Sequence, residues 1–72
     1  MATTEVPAHI TGTVWKILVQ VGDAVAQDQP LVILESMKME MPVESEAAGQ
    51  VLEIRCAEGD AVDEGAVLAV VG

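Results

Sequence analysis

Residues 6–35 and 43–72 of this chain align with each other without a gap, at an offset of 37. Identical pairs are Val6/Val43, Gly12/Gly49, Val14/Val51, Ile17/Ile54, Gly22/Gly59, Asp23/Asp60, Ala24/Ala61, Val25/Val62 and Leu31/Leu68. A sequence that repeats itself in this way folds as two copies of one supersecondary unit. Neither copy is large enough to bury a core alone, since even a domain of about 60 residues is marginal. The halves must therefore share one core about a pseudo-two-fold axis. The chain is read as one domain, residues 1–72, with halves 6–35 and 43–72 joined by residues 36–42.

Each half reads as strands. Trp15, Ile17 and Val19 alternate with Lys16, Leu18 and Gln20, and Leu52, Ile54 and Cys56 alternate with Glu53, Arg55 and Ala57. A period of two suits strands with one buried face. This phase places Ile17 against Ile54 and Val19 against Cys56 in the core, and makes Trp15, the counterpart of Leu52, a core or half-buried residue, with contact to a partner as the alternative. Val21-Gly22-Asp23 and Glu58-Gly59-Asp60 supply turn chemistry at matching places. Leu31–Leu34 and Val67–Val71 are apolar runs of strand length. No segment sustains a helical period. The fold expected from these patterns is an all-β flattened barrel or sandwich of two antiparallel sheets.

The shared core has to be aliphatic. Phe and Tyr are absent, Trp15 is the only aromatic, and one cysteine and one histidine make neither a disulfide nor a zinc site. The formal net charge is −9, with only Lys16, Lys38 and Arg55 positive. Nucleic acids and anionic membranes attract clustered Lys and Arg, so neither is an expected partner. No stretch approaches the ~20 apolar residues of a membrane span, Met1–Thr4 has no signal-peptide character, and a lone free cysteine suits a reducing compartment. The expected location is the cytoplasm.

Between the halves stand Ser36-Met37-Lys38-Met39-Glu40-Met41-Pro42, with Glu35 and Glu40 placed symmetrically about Met37-Lys38. This predicts a hairpin with Met37 and Lys38 at its tip. Two-residue hairpin turns ask for Gly, Asn or Asp in the left-handed region, and Met-Lys is poor chemistry for one. Local rules tend to break where function dictates the residues. Lys38 is therefore the candidate functional residue, with Met37 and Met39 as exposed apolar neighbours needing a partner. Met41 is expected to pack on the core.

Glu35-Ser36-Met37-Lys38-Met39-Glu40 closely resembles the attachment motif of biotin carboxyl carrier proteins and biotinyl domains. The resemblance spans nearly the whole chain, including the paired Gly-Asp turns. It implies two four-stranded antiparallel sheets with quasi-two-fold symmetry. It also implies covalent biotin on Lys38, with Met37, Met39, Glu35, Ser36 and Glu40 as the surface read by a biotin protein ligase and by partner enzymes. The implied partners are a biotin carboxylase and a carboxyltransferase, with an acyl-CoA or similar acceptor. The domain would then be a carrier and not an enzyme, monomeric when isolated, and either free-standing or excised from a larger protein.

Three departures stand out. Ser36 replaces the usual Ala, His9-Ile10-Thr11 replaces an early Pro-Met-Pro, and Asp28 stands where Gly65 stands in the second half. Asp tolerates left-handed backbone better than most residues. The gapless repeat leaves no room for the thumb insertion of some family members.

Two other readings compete. A lipoyl carrier has the same fold and a lysine at the same tip, but its lysine typically follows Asp and precedes Ala, and Met37 and Met39 disagree at both places. A cofactor-free structural β-domain is the third class. A nucleophilic site joining His9 to Ser36 or Ser45 lacks any activating motif, and the twelve carboxylates form no singled-out pair.

Overall fold

The computed structural model of the chain describes residues 3–72. These form eight strands: β1 (Thr4–Pro7), β2 (Gly12–Ile17), β3 (Ala24–Val25), β4 (Pro30–Ser36), β5 (Met39–Glu44), β6 (Gly49–Ile54), β7 (Ala61–Val62) and β8 (Val67–Val71). They make two four-stranded antiparallel sheets, ordered β1-β8-β6-β3 and β5-β4-β2-β7. Each half contributes two strands to each sheet. We call the second, which ends in the β4–β5 hairpin, the lysyl sheet.

The repeated Gly-Asp turns clasp the halves together. Gly22 donates to the Val51 carbonyl at 2.7 Å, and Gly59 donates to the Val14 carbonyl at 2.7 Å. The Val51 amide donates in return to Asp23 at 2.9 Å, and the Val14 amide to Asp60 at 2.8 Å. Within each turn the aspartate accepts from the amide three residues earlier: Gln20 to Asp23 Oδ2 at 2.8 Å, and Ala57 to Asp60 Oδ2 at 2.9 Å. Gly22 and Gly59 hold φ of 97° and 94°, which an L side chain adopts only under strain. Gly-Asp therefore recurs because the same turn is built twice, each copy bonded to the central strand of the other half.

A second pair of turns works alike. Asp28 (φ 67°) donates to the Ser45 carbonyl and Gly65 (φ 90°) to the Ala8 carbonyl, both at 2.8 Å. The aspartate in the glycine position thus does take up the left-handed backbone.

The core lies between the sheets. Leu31, Leu34 and Leu68 are wholly buried, among Val6, Val14, Val32, Val43, Val51 and Val71. Val19 is buried, while Ile17, Ile54 and Cys56 are partly buried and pack against this cluster. Ile17, Val19, Ile54 and Cys56 therefore all point inward, as the alternation predicts, but three of the four stop at the rim. Met41 pairs with Leu34 in register and is half-buried.

Trp15 departs from its expected place. It is 44% exposed, and Leu52 is 46% exposed. The ladder shifts between Val14 and Lys16 in β2, and between Val51 and Glu53 in β6. These are β-bulges, which insert one unpaired residue and reset the alternation. Val14 and Val51 fill the core before the bulge, Ile17 and Ile54 approach it after, and Trp15 and Leu52 are the inserted residues, turned outward.

Candidate functional site

The β4–β5 ladder runs unbroken from Ile33↔Pro42 through Leu34↔Met41 and Glu35↔Glu40 to Ser36↔Met39, leaving Met37 and Lys38 as the two residues of the turn. Both have positive φ, 52° and 66°. That is what a two-residue turn of the I′ kind requires to match strand twist, and neither residue type favours it. Left-handed backbone costs roughly 1–2 kcal/mol for each ordinary L-residue, so the turn is held by the stem beneath it. At the root of the stem, Leu34 is wholly buried and paired to Val14 on one side and Met41 on the other.

Each residue singled out in the sequence has a definite place here. Lys38 is exposed at the tip and makes no ion pair among the described residues. Met37 is 91% exposed and Met39 57%. Glu35 and Glu40 sit directly opposite each other on the stem, both exposed, and Ser36 is half-buried opposite Met39. The structure thus gathers all six on one hairpin, with Lys38 and Met37 in the turn, Ser36 and Met39 paired next to it, and Glu35 and Glu40 paired one step further down the stem.

Gly12 belongs to the support of this site and was not marked by sequence reasoning. A Cβ on Gly12 would stand 2.7 Å from the Glu35 carbonyl oxygen and 3.4 Å from the Ser36 Cβ. The absence of a side chain lets β2 press against the hairpin stem. The only available signal was the pairing of Gly12 with Gly49 in the repeat, where the same test gives 3.0 Å to the Gly72 carbonyl oxygen.

His9 and Ser45 line one shallow cleft with Asp28, Glu44 and Glu46. Ser45 is buried, and its hydroxyl donates to the Ala47 carbonyl at 2.6 Å. It caps a local turn and is not presented as a nucleophile.

An exposed, unpaired amine on a fixed turn suits acylation by a carboxylic acid delivered by another protein. Comparison with known proteins shows the family. The biotin and lipoyl attachment family, described as "biotin-requiring enzyme", matches residues 2–71. The chain belongs to this family. It is 44% identical over 63 residues to the biotin/lipoyl attachment protein of Bacillus subtilis strain 168, covering 88% of this chain and 86% of that protein. It is 45% identical over 64 residues to the biotin carboxyl carrier protein of Streptococcus mutans, covering 89% of this chain and 49% of that one. It is also 41% identical over 61 residues to a dihydrolipoyllysine-residue acetyltransferase component from Corynebacterium glutamicum, covering 85% of this chain and 9% of the relative. Among solved structures, the Kluyveromyces lactis urea carboxylase matches all of this chain at a TM-score of 0.94 and 33% identity, over 6% of its own length. The chain is a carrier domain and not itself a catalyst. It spans about half of the carrier protein and a small part of the urea carboxylase.

Proposed function

We propose that this domain is a biotin carboxyl carrier, with biotin joined to Lys38 Nζ by an amide. The observation that carries the reading is the tip itself: a lone lysine in a strained two-residue turn, between two methionines that the fold leaves exposed. The residues present fit the group, because the amine is free of ion pairs among the described residues and projects beyond the core. When attached, biotin supplies a ureido nitrogen able to carry a carboxyl group, chemistry that no side chain provides.

The chain's own contribution is positional. The β4–β5 ladder fixes the direction in which Lys38 leaves the body, and Glu35, Ser36, Met37, Met39 and Glu40 form the surface that a biotin protein ligase reads. Lysine and valeryl chain together reach on the order of 13 Å, from a backbone repeat of about 3.8 Å per three bonds. The molecule is 36 Å long, so the body must travel with the arm between a biotin carboxylase and a carboxyltransferase. The final acceptor would be an acyl-CoA or a similar small molecule. The setting that suits a free thiol and biotin-dependent carboxylation is the cytoplasm; among the described residues no helix is long and apolar enough to cross a membrane.

The lipoyl reading shares the fold and rests on such relatives as the acetyltransferase component, but Met37 and Met39 are the wrong neighbours for it. Incubation with biotin protein ligase, ATP and biotin should label the parent chain and Lys16→Ala on a streptavidin blot, and leave Lys38→Ala unlabelled. Mass spectrometry of protein from its native source should show a biotin adduct on Lys38. Labelling that survives Lys38→Ala, or a lipoyl adduct, would overturn the assignment.

A further inference from the structure

Three of the chain's four methionines fall within residues 37–41, the stretch that carries Lys38. The repeat halves 6–35 and 43–72 contain no methionine, and the core they share is built from Val, Leu, Ile and Ala with Cys56 at its edge. Exposure along the hairpin is graded. Met37 is 91% exposed in the turn, Met39 is 57% exposed beside it, and Met41 is half-buried opposite Leu34. Among the described residues, the two sulfur-bearing side chains most open to water therefore stand immediately before and immediately after Lys38.

An apolar contact at the tip could equally be made by leucine or valine, the residues that fill the core. Methionine brings a soft thioether that a peroxide oxidises. The sulfur attacks one peroxide oxygen, the O–O bond breaks and an S–O bond forms. The other oxygen takes up the displaced proton and leaves as water. Sulfur is oxidised by two electrons, the peroxide is reduced, and an apolar side chain becomes a polar, chiral sulfoxide. Cys56 competes poorly below the ordinary cysteine range, because the thiolate is the nucleophile and burial together with Asp60 keeps this thiol protonated to higher pH.

We infer that Met37 and Met39 form a reversible oxidation site, at which conversion of the two thioethers to sulfoxides by a peroxide slows the acylation of Lys38. Resting on the carrier reading, the inference adds a regulation of the same tip. The fold tolerates the change, since neither side chain is packed in the core. An enzyme that acylates Lys38 has to cover the tip, and it then buries a sulfoxide where it would have buried a thioether. A polar group buried without a partner is unfavourable. Met41 is the internal contrast: oxidation there sets a polar group beside the wholly buried Leu34, and acts on stability instead.

The test starts from the unmodified parent chain, treated with hydrogen peroxide at about pH 5, well below the ordinary cysteine range, and quenched at intervals. Trypsin cuts after Lys16, Lys38 and Arg55, which places Met37 in the peptide 17–38 and both Met39 and Met41 in the peptide 39–55, where fragmentation tells them apart. Met37 and Met39 should each gain one oxygen before Met41 and Cys56 do. The melting temperature should then be little changed, while the initial rate of labelling by biotin protein ligase, ATP and biotin should be about tenfold lower, the factor equivalent to about 1.4 kcal/mol of lost contact. Methionine sulfoxide reductases for both sulfoxide epimers should restore mass and rate together. Met37→Leu/Met39→Leu, apolar at both places, should label at the same rate before and after peroxide. Oxidation of Met41 or Cys56 ahead of the tip, an unchanged rate with both tip sulfoxides in place, or a melting temperature that falls along with the rate would each overturn the proposal and leave the carrier reading intact. So would a leucine variant that loses as much rate as the parent. A parent chain that the ligase never labels, even before oxidation, would sink both. Should the leucine variant label too slowly to follow, the reductase step decides in the parent chain: sulfoxides removed with the rate still low overturn the proposal.

Discussion

Burial pushes the Cys56 thiol up from its ordinary value, and the Asp60 carboxylate adds to the shift by disfavouring a nearby thiolate. The neutral form is therefore the one the fold prefers. A raised thiol leaves the folded state undisturbed below the ordinary cysteine range and withdraws stability as pH rises through the folded value. Alkylation by iodoacetamide should accordingly reach its half-maximal rate at a higher pH than in a free cysteine peptide, and Cys56→Ala should flatten the alkaline loss of melting temperature. An ordinary labelling profile would mean that the thiol is open to water. The inward direction of Cys56 was legible from its partner Val19, since both halves share a period of two. The outward turn of Trp15 was not, because a bulge adds one residue without any Gly or Pro to mark it. Alternation read across the bulge puts Trp15 on the wrong side of the sheet and everything after it on the right one.

At the scale of the hairpin, the sequence disclosed the tip but not how the stem is braced. The mismatch between Met-Lys and a positive-φ turn was visible in the letters, and both residues do sit there at positive φ. Exposed methionines contribute little to folding, so Met37→Ala and Met39→Ala should each change stability by less than about 0.5 kcal/mol, against roughly 2–5 kcal/mol for truncation in a core. Their effect should appear in the rate of ligase modification. A large fall in melting temperature with an unchanged rate would make them structural. Met37→Gly tests the strain directly: relief of left-handed backbone, worth about 1–2 kcal/mol less the entropy of a new glycine, should leave the protein as stable as before or slightly more so. Bracing depends on Gly12, whose contact with the Glu35 carbonyl is a fact of packing that a sequence cannot display. Gly12→Ala should cost about 1–3 kcal/mol, as overpacking does. It should cost more than Gly49→Ala, where the corresponding oxygen stands farther off at 3.0 Å; equal costs in chemical denaturation would remove Gly12 from the support of the site.

The whole molecule carries a formal charge of −9 on a body of 36 × 18 × 18 Å. Only three side chains are cationic, and Arg55 is already engaged by Glu53 and Glu5. The screening length is about 30 Å at 0.01 M salt and about 10 Å at 0.1 M, so at low salt most carboxylates feel one another across the domain and at moderate salt they do not. Self-repulsion of this kind opposes the compact state. Acylation of Lys38 would turn an ammonium into an amide and take the net charge from −9 to −10, beside the facing pair Glu35 and Glu40, since like charges directly opposite on a ladder are unfavourable. The unmodified domain should therefore melt higher as sodium chloride rises from 0.01 to 0.15 M, and the biotinylated form should melt lower than the unmodified one at the bottom of that range. The gap should narrow as salt is added, because the lost attraction is exposed and screened. Glu40→Gln should shrink it further by removing one of the two carboxylates on the stem below Lys38. A difference between the two forms that does not change with salt would show that acylation acts through packing at the tip, and the electrostatic account would fall.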